Sequence, residues 1–150
     1  MDTNAGIVAR WSTYLDRYVQ VGVVGNQVIA IEFPASIETP SDEAHPVLDA
    51  IERYLDGDPT PLSSVQVVLT VDHNTRAVLD TVREIPYGSE RDIDTICRMT
   101  PELGTDAHEL AAQALAANPI PLVIPDHRVT DGPSSTPASV RQRLRALEGL

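Results

Sequence analysis

Between Tyr18 and Phe33 the run YVQVGVVGNQVIAIEF alternates apolar and polar residues on both sides of Gly25-Asn26. Period-two alternation broken by a Gly-containing pair predicts two antiparallel strands joined by a tight turn. The polar stretch SIETPSDEA, with Pro40 in it, reads as a loop. HPVLDAIERYLDG follows, with Val47, Ile51 and Leu55 at helical spacing and Gly57 placed to end the helix. A Pro-rich connector from Asp58 to Ser64 leads into VQVVLTV, Val65 to Val71, whose β-branched residues predict another strand.

Beyond Asp72 the period changes from two to that of a helix. HNTRAVLDTVREIPYG sets Ala77, Val78, Val82 and Ile85 on one face and closes at Pro86 and Gly88. A short helix from about Arg91 to Met99 and the break PELG come next. Thr105 is placed to cap a helix from about Asp106 to Ala117, dense in alanine. Two short helices across a Pro/Gly turn are compatible with a helix-turn-helix, and equally with ordinary helix packing. In NPIPLVIPDHRV, Pro119, Pro121 and Pro125 forbid a helix and predict an extended, buried segment. Thr136 and Pro137 read as N-cap and first residue of a last helix ending near Leu147.

The order of elements gives an α+β class: a small sheet-and-helix lobe over residues 1–71, then a mostly helical domain over 72–150 with a degenerate helix-turn-helix. A chain of 150 residues can bury one core or two small lobes sharing an interface. No apolar run approaches the ~20 residues of a membrane span, and the start lacks the order of a signal peptide, so a soluble, cytoplasmic monomer is expected. One cysteine, Cys97, excludes an intrachain disulfide and a thiol-based metal cluster; it reads as a small buried hydrophobe, and no metal or cofactor is expected.

Charge changes the picture more than any other bulk property. The 22 acidic residues face 11 basic ones, all arginine, for a net charge of -11. Such a surface suits a high-salt, haloarchaeal type of cytosol, where the screening length falls to about 3 Å and self-repulsion is tolerable. In dilute salt this charge argues against nucleic acid. In concentrated salt that argument weakens, because counterion release is largely lost as a driving force.

REIPYG, Arg83 to Gly88, followed by ANPIPLVIPDHRV, Ala117 to Val129, resembles the second domain of alkylguanine-DNA alkyltransferases. That family's motif NPxPxxIPCHRV is matched at Asn118, Pro119, Pro121, Ile124, Pro125, His127, Arg128 and Val129. The resemblance implies a winged-helix-like DNA-binding architecture over residues 72–150. It also implies that Asp126 stands where the family carries its acceptor cysteine, that His127 is the residue that activates the thiol, and that Glu148 is the carboxylate behind that histidine. A carboxylate is a poor nucleophile toward an alkyl carbon, so no methyltransferase activity is expected. Asp126 then either pairs with His127 or Arg128 in a retired site, or forms an acid/base cluster with His127 and Glu148.

Three departures from the family concern DNA. The arginine that fills the space of a flipped base falls on Glu109, the phosphate-rotating tyrosine falls near Ile93, and the aromatic pocket wall is replaced by DGPSSTPASV. The remaining candidates for DNA contact are Glu109, Ala112 and Gln113 of the alanine-rich helix, and Arg128. The implied function is that of a cysteine-lacking alkyltransferase-like protein of DNA repair, recognising alkylated guanine in double-stranded DNA without transfer, with a repair protein or another protein as partner. The alternatives are a DNA-independent protein-interaction or structural module of the same fold, and an enzyme of different chemistry built on Asp126.

Overall fold

The computed structural model describes residues 5–37, 45–59 and 61–150. Three strands, β1 (Ala5–Ser12), β2 (Arg17–Val24) and β3 (Gln27–Glu32), form an antiparallel sheet in the order β1-β2-β3. The β2–β3 hairpin turns at Gly25, whose φ of 61° suits a residue without Cβ, and an irregularity at Gly22/Val23 shifts the register. Strand β1 has no counterpart in the sequence expectation. Its apolar residues Ile7, Val8 and Ala9 are contiguous and so hide the alternation.

Helix α1 (Pro46–Leu55) starts from His45, whose ring accepts from Val47 N–H, and buries Val47, Leu48, Ala50, Ile51 and Tyr54. Tyr54, rather than the predicted Leu55, completes its inner face. The polar loop predicted around Pro40 lies outside the described residues. A strand does not form over Val65–Val71; the segment makes one isolated parallel bridge, Val28 with Val67. The carbonyls of Val65 and Leu69 accept instead from Arg83 and Arg76 of the next helix, which removes them from any ladder.

Helices α2 (His73–Arg83), α3 (Ile93–Arg98), α4 (Ala107–Ala116) and α5 (Ala138–Glu148) complete the fold. The side chains of Asp72 and Asp92 cap α2 and α3. Helix α4 follows a 3-10 turn over Pro101–Asp106; its N-cap is Asp106 rather than Thr105, and the Asp106 side chain makes no capping hydrogen bond. The predicted cap of α5 is also corrected: Pro137 holds the cap position, and the Thr136 hydroxyl is bound elsewhere.

Sheet, α1 and the helices bury one continuous hydrophobic cluster, from Val8 and Val21 through Ile51, Val78 and Leu115 to Leu144. The two halves are joined by the backbone as well, since Ile31 N–H donates to Pro119 O at 3.0 Å. That bond seats the Pro-rich segment against the edge of β3, where it positions the residues of the site. No helix among the described residues is long and apolar enough to cross a membrane.

Candidate functional site

The segment Asn118–Pro125 is buried, as its three prolines and apolar residues predict, but it is turned rather than extended. Ile124 N–H reaches back to Ile120 O at 2.9 Å, and Leu122 takes a φ of 81°, a left-handed conformation uncommon for a branched residue. Asn118 staples the turn. Its Nδ2 donates to Ile124 O and to Asp126 Oδ2, each at 3.0 Å, while its Oδ1 accepts from Ile120 N–H at 3.0 Å. A 3-10 turn over Asp126–Arg128 then sends successive side chains in different directions.

Asp126 is 0% exposed. Its Oδ1 accepts from the hydroxyls of Ser134 (2.7 Å) and Thr136 (3.0 Å). Its Oδ2 accepts from Asn118 Nδ2, from Ser135 Oγ (3.1 Å) and from Ser135 N–H (3.3 Å). Five donors, none of them charged, saturate a buried carboxylate. The stretch that closes over it begins at Asp131-Gly132, where a Cβ on Gly132 would come within 2.6 Å of Leu115 Cδ1 and displace that methyl group.

His127 and Arg128 do not pair with Asp126; they pair with Glu148, which corrects one of the two roles expected for Asp126. His127 Nε2 lies 2.8 Å from Glu148 Oε2, and Arg128 binds both carboxylate oxygens, Nε to Oε1 at 2.8 Å and Nη2 to Oε2 at 2.9 Å. Gly88 N–H donates to Oε1 at 3.0 Å, and the Tyr54 hydroxyl donates to Oε2. Burial works against the ionised form of Glu148, but hydrogen bonds from His127, Arg128, Tyr54 and Gly88 outweigh it and hold the carboxyl well below its usual range. Burial pushes His127 down, against the pull of Glu148. The consistent state is a neutral imidazole that donates from Nε2 to an ionised Glu148 balanced by Arg128. His127 Nδ1 is then a bare acceptor, buried without a hydrogen-bond partner.

Asn118, Asp126, His127 and Glu148 are therefore brought together, but as two networks back to back. The expected cluster of Asp126 with both His127 and Glu148 as one acid/base unit does not form. Sequence reading missed Tyr54, Ser134, Ser135 and Thr136. Tyr54 was legible as the residue three places after Ile51 on the inner face of α1; no periodicity marks the hydroxyls.

The DNA-contact candidates divide. Glu109 and Gln113 are exposed on α4 and Ala112 is half-buried beside them, whereas Ala111 and Ala114 pack inward with no exposure. Arg128 is not on that helix, its side chain is 12% exposed, and its guanidinium is held by Glu148 and Ile85 O. At the start of α4, His108 contacts Asp94 of α3 at 2.6 Å. Ile93 is half-buried, and Cys97 is half-buried rather than buried, with burial raising its thiol pKa.

The family model for the 6-O-methylguanine DNA methyltransferase, DNA binding domain, matches residues 73–148. The chain belongs to the O6-methylguanine-DNA methyltransferase family. Methylated-DNA–protein-cysteine methyltransferases of Methanothermobacter thermautotrophicus and Methanopyrus kandleri are 32% and 31% identical to it. The first alignment covers 88% of this chain and 81% of the relative, the second 69% and 78%. The crystal structure of Mycobacterium tuberculosis OGT in complex with DNA superposes with a TM-score of 0.72 at 20% identity, over 96% of this chain and 91% of that one. The O6-methylguanine-DNA methyltransferase of Pyrococcus kodakaraensis gives a TM-score of 0.66 at 18% identity, over 96% and 99%. The methyltransferase fold thus accounts for the small sheet as well as the helical half.

Proposed function

We propose that this chain is a non-catalytic alkyltransferase-like protein connected with DNA repair, one that recognises alkylated guanine in duplex DNA without accepting the alkyl group. The observation that carries this reading is the state of Asp126. It stands at the place that the motif gives to the acceptor cysteine, and it is fully buried with five hydrogen bonds on its carboxylate. A nucleophile needs a lone pair free to meet the alkyl carbon in line, and this carboxylate has none in reach. His127 and Glu148 keep the arrangement of a thiol-activating pair with no thiol next to it. Cys97, in α3 with a raised pKa, is no substitute.

Support for the DNA role comes from the DNA-binding domain matched over 73–148 and from the outward face of α4. Ala112 leaves room there for a close backbone approach, with Glu109 and Gln113 flanking it. The closed stretch Ser134–Thr136 bars a base from Asp126, so recognition involves either a shift of that stretch or contacts outside it.

Two measurements on one sample test the reading: intact mass after incubation with alkylated-guanine duplex, and a binding titration of duplexes with and without the lesion in molar potassium chloride. Unchanged mass with tighter binding of the lesion is expected. A gain of one alkyl group on the protein overturns the non-catalytic part. A second reading, the DNA-independent module, is favoured by the exposed acid Glu109 on α4 and by the closed site; absence of duplex binding with a defined protein co-purifying would select it.

A further inference from the structure

Among the chain's six aromatic residues, Trp11 and Tyr14 are the large exposed ones, at 44% and 40%. They line the same cavity, about 280 Å³, between the end of β1 and helix α1. Its floor is apolar, from Val19, Leu48 and Ile51, and its α1 side carries Glu52 and Asp56. Arg10 also lines it but is neutralised by Asp49 at 3.1 Å and Glu52 at 3.8 Å.

The aromatic pair is held in place. The Trp11 ring meets Tyr18 edge-on, with centroids 5.1 Å apart. Tyr14 is tied to α5 twice: its hydroxyl donates to Arg143 O at 2.6 Å, and Arg143 Nη1 donates to Tyr14 O at 3.2 Å. The turn that carries Tyr14 includes Asp16 at φ 55°, a conformation that costs energy outside glycine, and Ser12 Oγ accepts from Leu15 N–H within it. A strained turn fixed at both ends presents an exposed aromatic side chain without the entropy cost that flexible surface aromatics incur on binding.

We propose that this cavity is a docking site for a protein segment with an apolar anchor beside arginine or lysine. The apolar floor takes the anchor. The faces of Trp11 and Tyr14 attract a cation through their ring quadrupoles, and Glu52 and Asp56 add charge of the complementary sign. Asp56 has no ion-pair partner among the described residues, so a bound cation supplies one. An acidic segment or a nucleic-acid backbone meets the same carboxylates and is repelled. The site is made of β1, the turn, β2 and α1 and is separate from the networks around Asp126 and Glu148.

Trp11 is the only tryptophan of the chain, so its fluorescence reports directly on this cavity. The probes are two hexapeptides, alternating leucine-arginine and alternating leucine-glutamate, titrated into the full chain at low and molar potassium chloride. Saturable change in Trp11 emission with the arginine peptide, weakening with salt and absent with the glutamate peptide, is expected. Asp56→Arg and Glu52→Arg, both at exposed positions, should each weaken the arginine peptide about tenfold. Tyr14→Ala, followed by the same fluorescence titration, should weaken it comparably while thermal melting verifies that the variant folds. Equal response to both peptides, no saturable response, or unchanged affinity in the Asp56 and Glu52 variants overturns the proposal. So does sedimentation showing self-association that Trp11→Ala abolishes, since the occupant is then a second copy of this chain.

Discussion

Asp126 precedes His127 in the chain, yet the two side chains share no hydrogen-bond partner: Asp126 is held by Asn118, Ser134, Ser135 and Thr136, and His127 by Glu148 and Tyr54. The 3-10 turn at this point separates them. One network is made of neutral donors around a carboxylate, the other of an ion pair around a second carboxylate. Each has its own energetic consequence.

Replacing Asp126 by alanine strands three hydroxyls and the Asn118 amide in a closed interior. The expected loss is about 2–4 kcal/mol, from several donors left unsatisfied at once. Asp126→Asn keeps the shape and part of the acceptor capacity, so it should lose less. Urea unfolding monitored by far-UV dichroism measures both; a neutral Asp126→Ala would mean that the hydroxyls turn to water instead.

Glu148→Gln leaves Arg128 as an unbalanced, largely buried cation. A loss of about 3–5 kcal/mol follows. Tyr54→Phe removes one of five donors from the same carboxylate and should cost about 1 kcal/mol. If the two variants prove equally stable, Glu148 is not the centre of the cluster.

The pH dependence has one sign for both groups. His127 is held below its ordinary 6.5 by burial, and Glu148 below its ordinary 4.5 by its donors. The unfolded chain therefore takes up protons that the folded chain refuses. Stability from His127 is complete above 6.5 and is lost as the pH falls below it; the Glu148 contribution is lost as the pH falls below 4.5. Denaturation midpoints followed downward from neutral pH should show the first limb in the native chain. It should be absent in His127→Gln, and a variant that retains it points to another titrating group.

On α4, Glu109 is exposed, and the family resemblance implies an arginine at this position. Glu109→Arg removes repulsion toward phosphates and base acceptors and supplies a cation able to stack. Duplex binding should tighten about tenfold, roughly 1.4 kcal/mol. The charge control is the exposed Glu84. Glu84→Arg should do much less. Equal effects from the two variants would show that α4 no longer reads DNA.

The acidic, lysine-free composition predicts a higher melting temperature in molar potassium chloride than in dilute buffer. Screening relieves repulsion among 22 carboxylates that face only 11 arginines. Calorimetry at two salt concentrations decides it, and an equal or lower value in high salt would remove the high-salt reading.

The α+β class, the hairpin at Gly25, helix α1 and the helical second half were legible because their periods are local. So were Asn118 and His127, through a motif dense in proline, whereas Glu148 was marked only by carrying the family resemblance into the last helix. Strand β1 was not legible, since its contiguous apolar residues hide the alternation even though a short turn joins it to β2. Val65–Val71 carried strand-forming residues, but Arg76 and Arg83 took two of its carbonyls. Thr136 read as a helix cap because a hydroxyl before a proline signals one; tertiary structure gave that hydroxyl to Asp126. The partition of His127 and Asp126 into separate networks depends on a turn of three residues, which no pattern of residue types announces.

The bond between Tyr54 and Glu148 joins positions 94 residues apart, and Gly88, His127 and Arg128 close on the same carboxylate from intermediate positions. Local helices can form on short timescales, but this closure waits for four distant stretches to meet, with a loop-entropy cost that local contacts avoid. During synthesis Arg128 therefore emerges about twenty residues before the carboxylate that neutralises it. The ion-paired network is thus a late event of folding, and free chains truncated before Glu148 should remain open to protease in the segment around His127.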